Sequence, residues 1–247
     1  MIISHNELVA TVNKAFSGMH LHCGEADVIA NMVADLQMVG LSGVKHFNAA
    51  SQFLALDRDC AVTVKTLSQN TFEVDFHGDS VACHLPAVLD FALEKMVDCK
   101  TVSIKINQCH NRWFVYSELV YLASKGIACQ AQWVNGTSPK RTLYVLNRGR
   151  IAPEIFFSDK LPSNHCDFHS MTITLSTQDF DVEQSAGDYS IHVDSVELAN
   201  TLLTSWEEGI FVEDKEWEKL KHSATNFLVE NSARSEQDAG ELISLTN

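Results

Sequence analysis

Basic residues are scarce in this chain: Lys and Arg number 18 against 32 Asp and Glu, a formal net charge of −14 at pH 7. Such a balance repels phosphate backbones and anionic bilayers, so neither nucleic acid nor a membrane surface is expected as a partner. Long apolar runs are also missing. The longest, such as 87–93 and 127–131, fall far short of the roughly 20 residues of a membrane span, and Met1-Ile2-Ile3-Ser4 lacks the basic-then-apolar pattern of a signal peptide. A soluble cytoplasmic protein is the expectation. The seven cysteines form an odd set with no C-x-x-C pair, which argues against a disulfide scaffold. Cys99, Cys109 and Cys129 flank or sit in apolar segments, where a thiol behaves as a small hydrophobe. No G-x-S-x-G elbow, no G-x-G-x-x-G after a strand and no Walker sequence occurs, so the commonest nucleophile and phosphate cradles are absent.

What is present suffices for a core. With 247 residues, 45% hydrophobic and 20% charged, the chain falls outside the disordered and fibrous classes and can form one large domain or two smaller ones. Periodicity divides it into three segments. Residues 1–60 read as helical: Ser4-His5-Asn6-Glu7 fits a capping box, followed by Leu8, Val9, Val12 and Phe16 on one face. A second helix opens at Gly24-Glu25-Ala26-Asp27, with Val28, Ile29, Met32, Val33 and Leu36 at helical spacing, and a third covers about 44–56.

Residues 61–182 read as a layered α/β unit. The alternating runs 61–66 and 71–76 make a hairpin across Ser68-Gln69-Asn70. A helix from Leu85, a strand over 101–106, a helix over about 113–125 and a strand over 127–134 follow. The runs 141–146 and 151–157 form a second hairpin across Asn147-Arg148-Gly149, and 171–175 alternates once more. Residues 183–247 hold two further helices, about 193–208 and 214–230, separated by Gly209, and a polar tail expected to be mobile.

Several clusters invite a chemical reading. His165-Cys166-Asp167-Phe168-His169 and His20, His22, Cys23 bring metal-ligating types together, but neither has a closed zinc spacing, and no metal is assigned. Cys109 beside His110 reads as a buried structural thiol, because neighbours at a strand exit point opposite ways. Asn135-Gly136-Thr137-Ser138-Pro139 follows a strand end, where open α/β sheets hold ligands; it is either a binding loop or a simple turn. His110-Asn111-Arg112 lies at another strand end, where Arg112 offers a bidentate fork to a carboxylate. The tail segment Ser232–Gly240, with Arg234 as its one cation, is either a closing segment or a plain terminus.

The run Ala34-Asp35-Leu36-Gln37-Met38-Val39-Gly40-Leu41-Ser42-Gly43-Val44-Lys45-His46 resembles the A-D-L-x-G-x-x-S-H-G-V-x-R segment of the non-Rossmann malate/lactate dehydrogenases, a family that includes ureidoglycolate dehydrogenases and cyclic imino acid reductases. A second stretch, from Ala92 to Trp133 with Gln108-Cys109-His110, Tyr116 and Gly126-Ile127-Ala128, and Asn135 after it, is similar to that family's S-x-H-F-G-x-x-G-Y-Y region. The resemblance implies a mixed sheet with flanking helices, N- and C-terminal helices packed together, and a homodimer. It also implies a catalytic His at the position of Ser42, a carboxylate-binding Arg at that of His46, and a nicotinamide-side Gly at that of Arg112. Its second His matches His110. A serine hydroxyl cannot supply an imidazolium's proton, so the usual general acid is lost. From Val193 on, the pattern with Gly209-Ile210, Trp217 and Leu220 looks instead like an uncharacterised bacterial family.

The combined expectation is a small carboxylate metabolite bound near His46, His110, Arg112, Asn135 and Ser42. Arg112 holds the carboxylate, His110 and His46 are the catalytic candidates, and His46 brings a switchable positive charge. NAD or NADP enters by lineage only. Three classes stay open: a divergent enzyme of a small acid, an NAD(P)-dependent oxidoreductase of a 2-oxo, 2-hydroxy or imino acid, and a non-catalytic sensor or interaction protein.

Overall fold

The computed structural model describes residues 1–19, 23–55, 61–161 and 167–229. A two-residue strand, β1 (Ile2–Ile3), leads into three helices, α1 (His5–Ser17), α2 (Cys23–Met38) and α3 (Gly43–Leu54). Ser4 caps α1 as expected, its Oγ accepting the Glu7 N–H at 3.2 Å, and Leu8, Val12, Ala15 and Phe16 form the buried face. In α2 the buried stripe is Ile29, Met32, Val33 and Leu36, whereas Val28, expected beside them, is exposed.

The entry to α3 depends on two residues. At Gly43 a Cβ would lie 2.0 Å from the Val33 carbonyl oxygen and 2.9 Å from the Gln37 nitrogen, so only glycine lets the two helices meet. Ser42 takes a left-handed conformation and makes no side-chain cap. Gln37 caps instead: its Oε1 accepts the Val44 N–H at 3.0 Å while its Nε2 donates to the Phe211 carbonyl at 2.7 Å.

The remaining elements are β2 (Thr63–Ser68), β3 (Thr71–Asp75), α4 (Val81–Met96), β4 (Thr101–Asn107), a 3₁₀ turn (Arg112–Phe114), α5 (Val115–Ser124), β5 (Ala128–Val134), β6 (Arg141–Leu146), β7 (Glu154–Ser158), β8 (Met171–Ser176), α6 (Val182–Ala186), β9 (Ile191–Val193), α7 (Ser195–Glu208), β10 (Ile210–Phe211) and α8 (Asp214–Val229). Among the described residues the main sheet runs β2-β3-β4-β8-β5-β6-β7-β9, with β3 and β4 parallel and the other neighbours antiparallel. Strand β8 thus lies between β4 and β5, and the register sets Ala131 opposite Ile173 and Trp133 opposite Met171. Alternate residues such as Val102, Ile104 and Ile106 face one continuous core beneath α2, α4 and α5. On β6 both faces are buried, because Leu143 and Val145 pack with Phe156 under Phe180, Val182 and Tyr189.

Four boundaries differ from the sequence reading. Helix α4 starts at Val81, since Ser80 Oγ caps the Ala82 N–H at 3.2 Å. The helix expected from Trp113 begins as the 3₁₀ turn, α6 interrupts the stretch read as polar loop, and α7 starts after a short edge strand. The ribbon β1–β10 was not anticipated. The termini of the described chain pack together as expected: the Met1 ammonium donates to the Val212 carbonyl and to Asp214 Oδ1, each at 2.8 Å. Asn48 Nδ2 reaches the Glu216 carbonyl at 2.9 Å, and Trp217 and Leu220 of α8 are buried. Among the described residues no helix is long and apolar enough to cross a membrane. His20, His22, His165, Cys166 and the tail segment with Arg234 lie outside the described residues.

Candidate functional site

The loop after β5 is built around Asn135. Its backbone N–H donates to the Lys140 carbonyl at 2.7 Å, and its Nδ2 donates to the Pro139 carbonyl at 2.7 Å and to Thr142 Oγ1 at 3.2 Å. Arg112 braces this loop from behind. Its Nη1 donates to the carbonyls of Val134 (2.9 Å), Phe168 (2.6 Å) and Ser170 (3.2 Å), and its Nη2 donates to Asn135 Oδ1 at 3.3 Å. Burial pulls the guanidinium below its ordinary value. Arg112 therefore ties the end of β5 to the approach to β8, with Nη1 committed to backbone and Nη2 to Asn135.

In front of the loop opens a cavity of about 710 Å³, whose wall includes Lys45, His46, Trp113, Asn135, Phe157 and Asp159. Trp113 forms the apolar side: its ring centroid lies 5.7 Å from that of His46, 6.2 Å from Phe157 and 5.3 Å, edge-on, from Trp133. Asp159 closes the far side, its Oδ1 accepting from Ser138 Oγ at 2.7 Å and from the Lys140 N–H at 3.3 Å. Lys45 is exposed at the mouth and has no ion pair among the described residues. Burial, reinforced by the Lys45 charge, holds the His46 imidazole down at about 4. At neutral pH His46 is thus an uncharged donor and acceptor, which corrects the expected switchable positive charge.

The predicted residues separate into two places. His46 and Asn135 share the cavity, and Arg112 touches it through Asn135. Ser42 sits one turn before His46, where its carbonyl accepts the His46 N–H at 3.1 Å. His110 does not line this cavity. Its backbone bridges to Ser80, its ring stacks on Phe53 at 3.8 Å, and the His169 ring lies 4.7 Å away. Burial first, then the His169 and Arg112 charges, lower its pKa. The Cys109 thiol is buried and pushed up to about 12, as a structural thiol should be. Among the described residues no group of three or more His, Cys, Asp or Glu is placed to hold a metal ion.

Sequence reasoning missed Lys45, Trp113, Phe157 and Asp159. Lys45 and Trp113 adjoin residues that were singled out, His46 and Arg112, and that adjacency was a usable signal. Phe157 and Asp159 arrive through the β6–β7 pairing, in which Arg141 faces Ser158.

Comparison with known proteins sets the fold beside solved structures. A family model described as a protein of unknown function, DUF3726, matches residues 3–85, whereas the uncharacterised-family likeness in the sequence rested on the segment from Val193 on. No curated protein matches. Among solved structures, the chain is similar to a dehydrogenase from Sinorhizobium meliloti (TM-score 0.65, 9% identity, 91% of this chain and 99% of that one). It is also similar to the Δ1-piperideine-2-carboxylate reductase of Pseudomonas syringae pv. tomato (TM-score 0.63, 13% identity, 90% and 99%) and to malate dehydrogenase from Pyrococcus horikoshii (TM-score 0.67, 8% identity, 92% and 95%). The scaffold is a malate/lactate dehydrogenase-like mixed α/β fold.

Proposed function

We propose that the chain is a divergent dehydrogenase-like protein that binds a small carboxylate-bearing metabolite in the Lys45–His46–Trp113 cavity. The observation that carries this reading is the Lys45 ammonium, a cation without a counter-ion among the described residues, at the mouth of a cavity walled by Trp113 and Phe157. A small organic acid supplies the missing charge and an apolar body for the wall. Lys45 then anchors the carboxylate, and His46, neutral at pH 7, hydrogen-bonds the adjacent oxygen or accepts its proton. Asn135 spends both amide hydrogens inside its loop, so it shapes the cavity, and Arg112 is a positioning residue that acts through it. In the same reading the protein is a cytoplasmic homodimer, which cell fractionation and sedimentation equilibrium check.

Arg112 speaks against a dinucleotide held in that family's manner. Where the resemblance places glycine beside the nicotinamide, Arg112 occupies the gap between the end of β5 and the approach to β8 through its bonds to Val134, Phe168 and Ser170. The close backbone approach that glycine permits is closed there. The fold itself favours the second reading, an NAD(P)-dependent oxidoreductase of a 2-oxo, 2-hydroxy or imino acid.

Thermal melting tests both. Wild-type protein is melted with NAD(H), NADP(H) and a panel of 2-oxo, 2-hydroxy and cyclic imino acids at millimolar concentration. A native-state ligand at about 100 times its Kd stabilises by about 2.7 kcal/mol. The expected result is a shift with an acid alone that Lys45→Ala abolishes. A shift that survives Lys45→Ala removes Lys45 from the site, and a shift with dinucleotide alone selects the second reading.

A further inference from the structure

Helix α7 is attached by one narrow face, since among the described residues Leu198 is its one fully buried side chain. Opposite Leu198, at 100° per residue, lies Glu207, with Val196 and Leu203 beside it. Val196, Leu203 and Trp206 are 62%, 57% and 61% exposed, and at 3.6 residues per turn they fall within an arc of about 80°. Ile2 and Phe211 of the β1–β10 ribbon are 58% and 62% exposed on the Val196 side of the helix, away from Trp206, whose ring stacks on His5. A groove of about 700 Å³ runs between the ribbon and α7. Single exposed apolar residues are ordinary, but Ile2, Val196 and Phe211 gathered in one groove make a patch of the kind that marks an interaction site.

The rim of that groove is acidic, with Asp194, Glu197 and Glu208 in its wall. From Asp194 to Asp214 the chain carries six carboxylates and neither Lys nor Arg. Glu197, Glu207 and Glu208 have no ion pair among the described residues. Asp194, Glu197 and Glu208 share the groove with Ile2, Val196 and Phe211, so an occupant meets apolar contact and negative charge together.

We infer that the α7 face is a docking surface for a basic amphipathic segment of another protein. Its apolar side chains cover Ile2, Val196 and Phe211, and its Lys and Arg side chains answer Asp194, Glu197 and Glu208. Charge disfavours the other occupants. A second copy seated two-fold on this face sets Asp194, Glu197 and Glu208 against the same three carboxylates. The chain's own residues 230–247 bring Arg234 as their one cation against Glu230, Glu236, Asp238 and Glu241. An anionic bilayer is repelled outright. This inference does not depend on the ligand of the cavity, which lies on other elements.

The test is fluorescence anisotropy with a labelled helical peptide bearing Leu at i, i+3, i+4 and i+7 and Lys elsewhere. Its controls are a peptide of equal composition with scrambled Leu positions and one with Glu in place of Lys. The patterned Lys peptide binds, added salt weakens it, and Val196→Ser with Phe211→Ser costs about tenfold or more in Kd. These side chains are exposed, so the variant keeps its fold, which circular dichroism verifies. Equal affinity for the scrambled peptide, or wild-type affinity in the double variant, overturns the inference. So does self-association that Val196→Glu abolishes, because the occupant is then a second copy.

Discussion

Replacing Arg112 by methionine keeps most of the apolar stem but removes four hydrogen bonds at once. The Phe168 carbonyl is in an exposed setting, where water substitutes, whereas the bonds to Val134 and Ser170 are part-buried. An acceptor stranded in that way costs about 1–3 kcal/mol, so two of them, with the loosened Asn135 loop, set the loss near 3 kcal/mol. For a chain of this size that lowers Tm by roughly 6–12 °C. Urea denaturation is the assay: the midpoint falls while the slope m stays constant, the signature of lost stability without a changed denatured state. Arg112→Lys recovers little, because an ammonium lacks the planar fork. If Arg112 held a ligand carboxylate instead, its removal would leave the apo protein nearly as stable as wild type. A loss under about 1 kcal/mol therefore refutes the bracing role.

Three further outcomes follow from the same geometry. Gly43→Ala forces α3 away from the Val33 carbonyl and destabilises by about 3 kcal/mol or more, read as a fall in denaturation midpoint. Glu154→Gln weakens the clasp in which its carboxylate accepts from Ser195 Oγ at 2.5 Å, the Ser195 N–H at 3.1 Å and His192 Nε2 at 2.7 Å. Hydrogen exchange of α7 then speeds by about tenfold, the equivalent of roughly 1.4 kcal/mol, while exchange in β4 and β8 is unchanged. For His46 the folded value of about 4 lies below the ordinary 6.5, so the unfolded chain binds the extra proton between those values. Its contribution is complete above pH 6.5 and lost as pH falls toward 4, worth up to about 3 kcal/mol. His46→Gln flattens that limb of the stability–pH curve.

Much of the sheet was readable because its strands alternate. The runs read as 101–106, 141–146 and 171–175 match β4, β6 and β8 to within a residue. Alternation cannot say what covers a strand, however. The β2 run alternates like a half-buried strand, yet all six of its residues are exposed at the sheet edge. The β1–β10 ribbon is two residues long on each side and pairs Ile3 with Ile210, too short for a period and too distant for a local turn signal. At the site, His46 and Asn135 were reached through the family resemblance and the strand-end rule, and both line the cavity. Arg112 resembled an anion fork because its sequence neighbours do not disclose Phe168 and Ser170, the carbonyls that occupy it. His110 looked equivalent to His46 until Phe53 was found stacked on its ring.

The central claim is that ligand meets the Lys45–His46–Trp113 cavity, and NMR titration of wild-type protein tests it directly. The acid giving the largest thermal shift is added while the histidine ring and indole resonances are followed. The account predicts that His46 and Trp113 move in a saturable way while His110 and His169 stay in place. Movement of His110 and His169 with His46 unmoved contradicts it and relocates the site to the other side of Arg112.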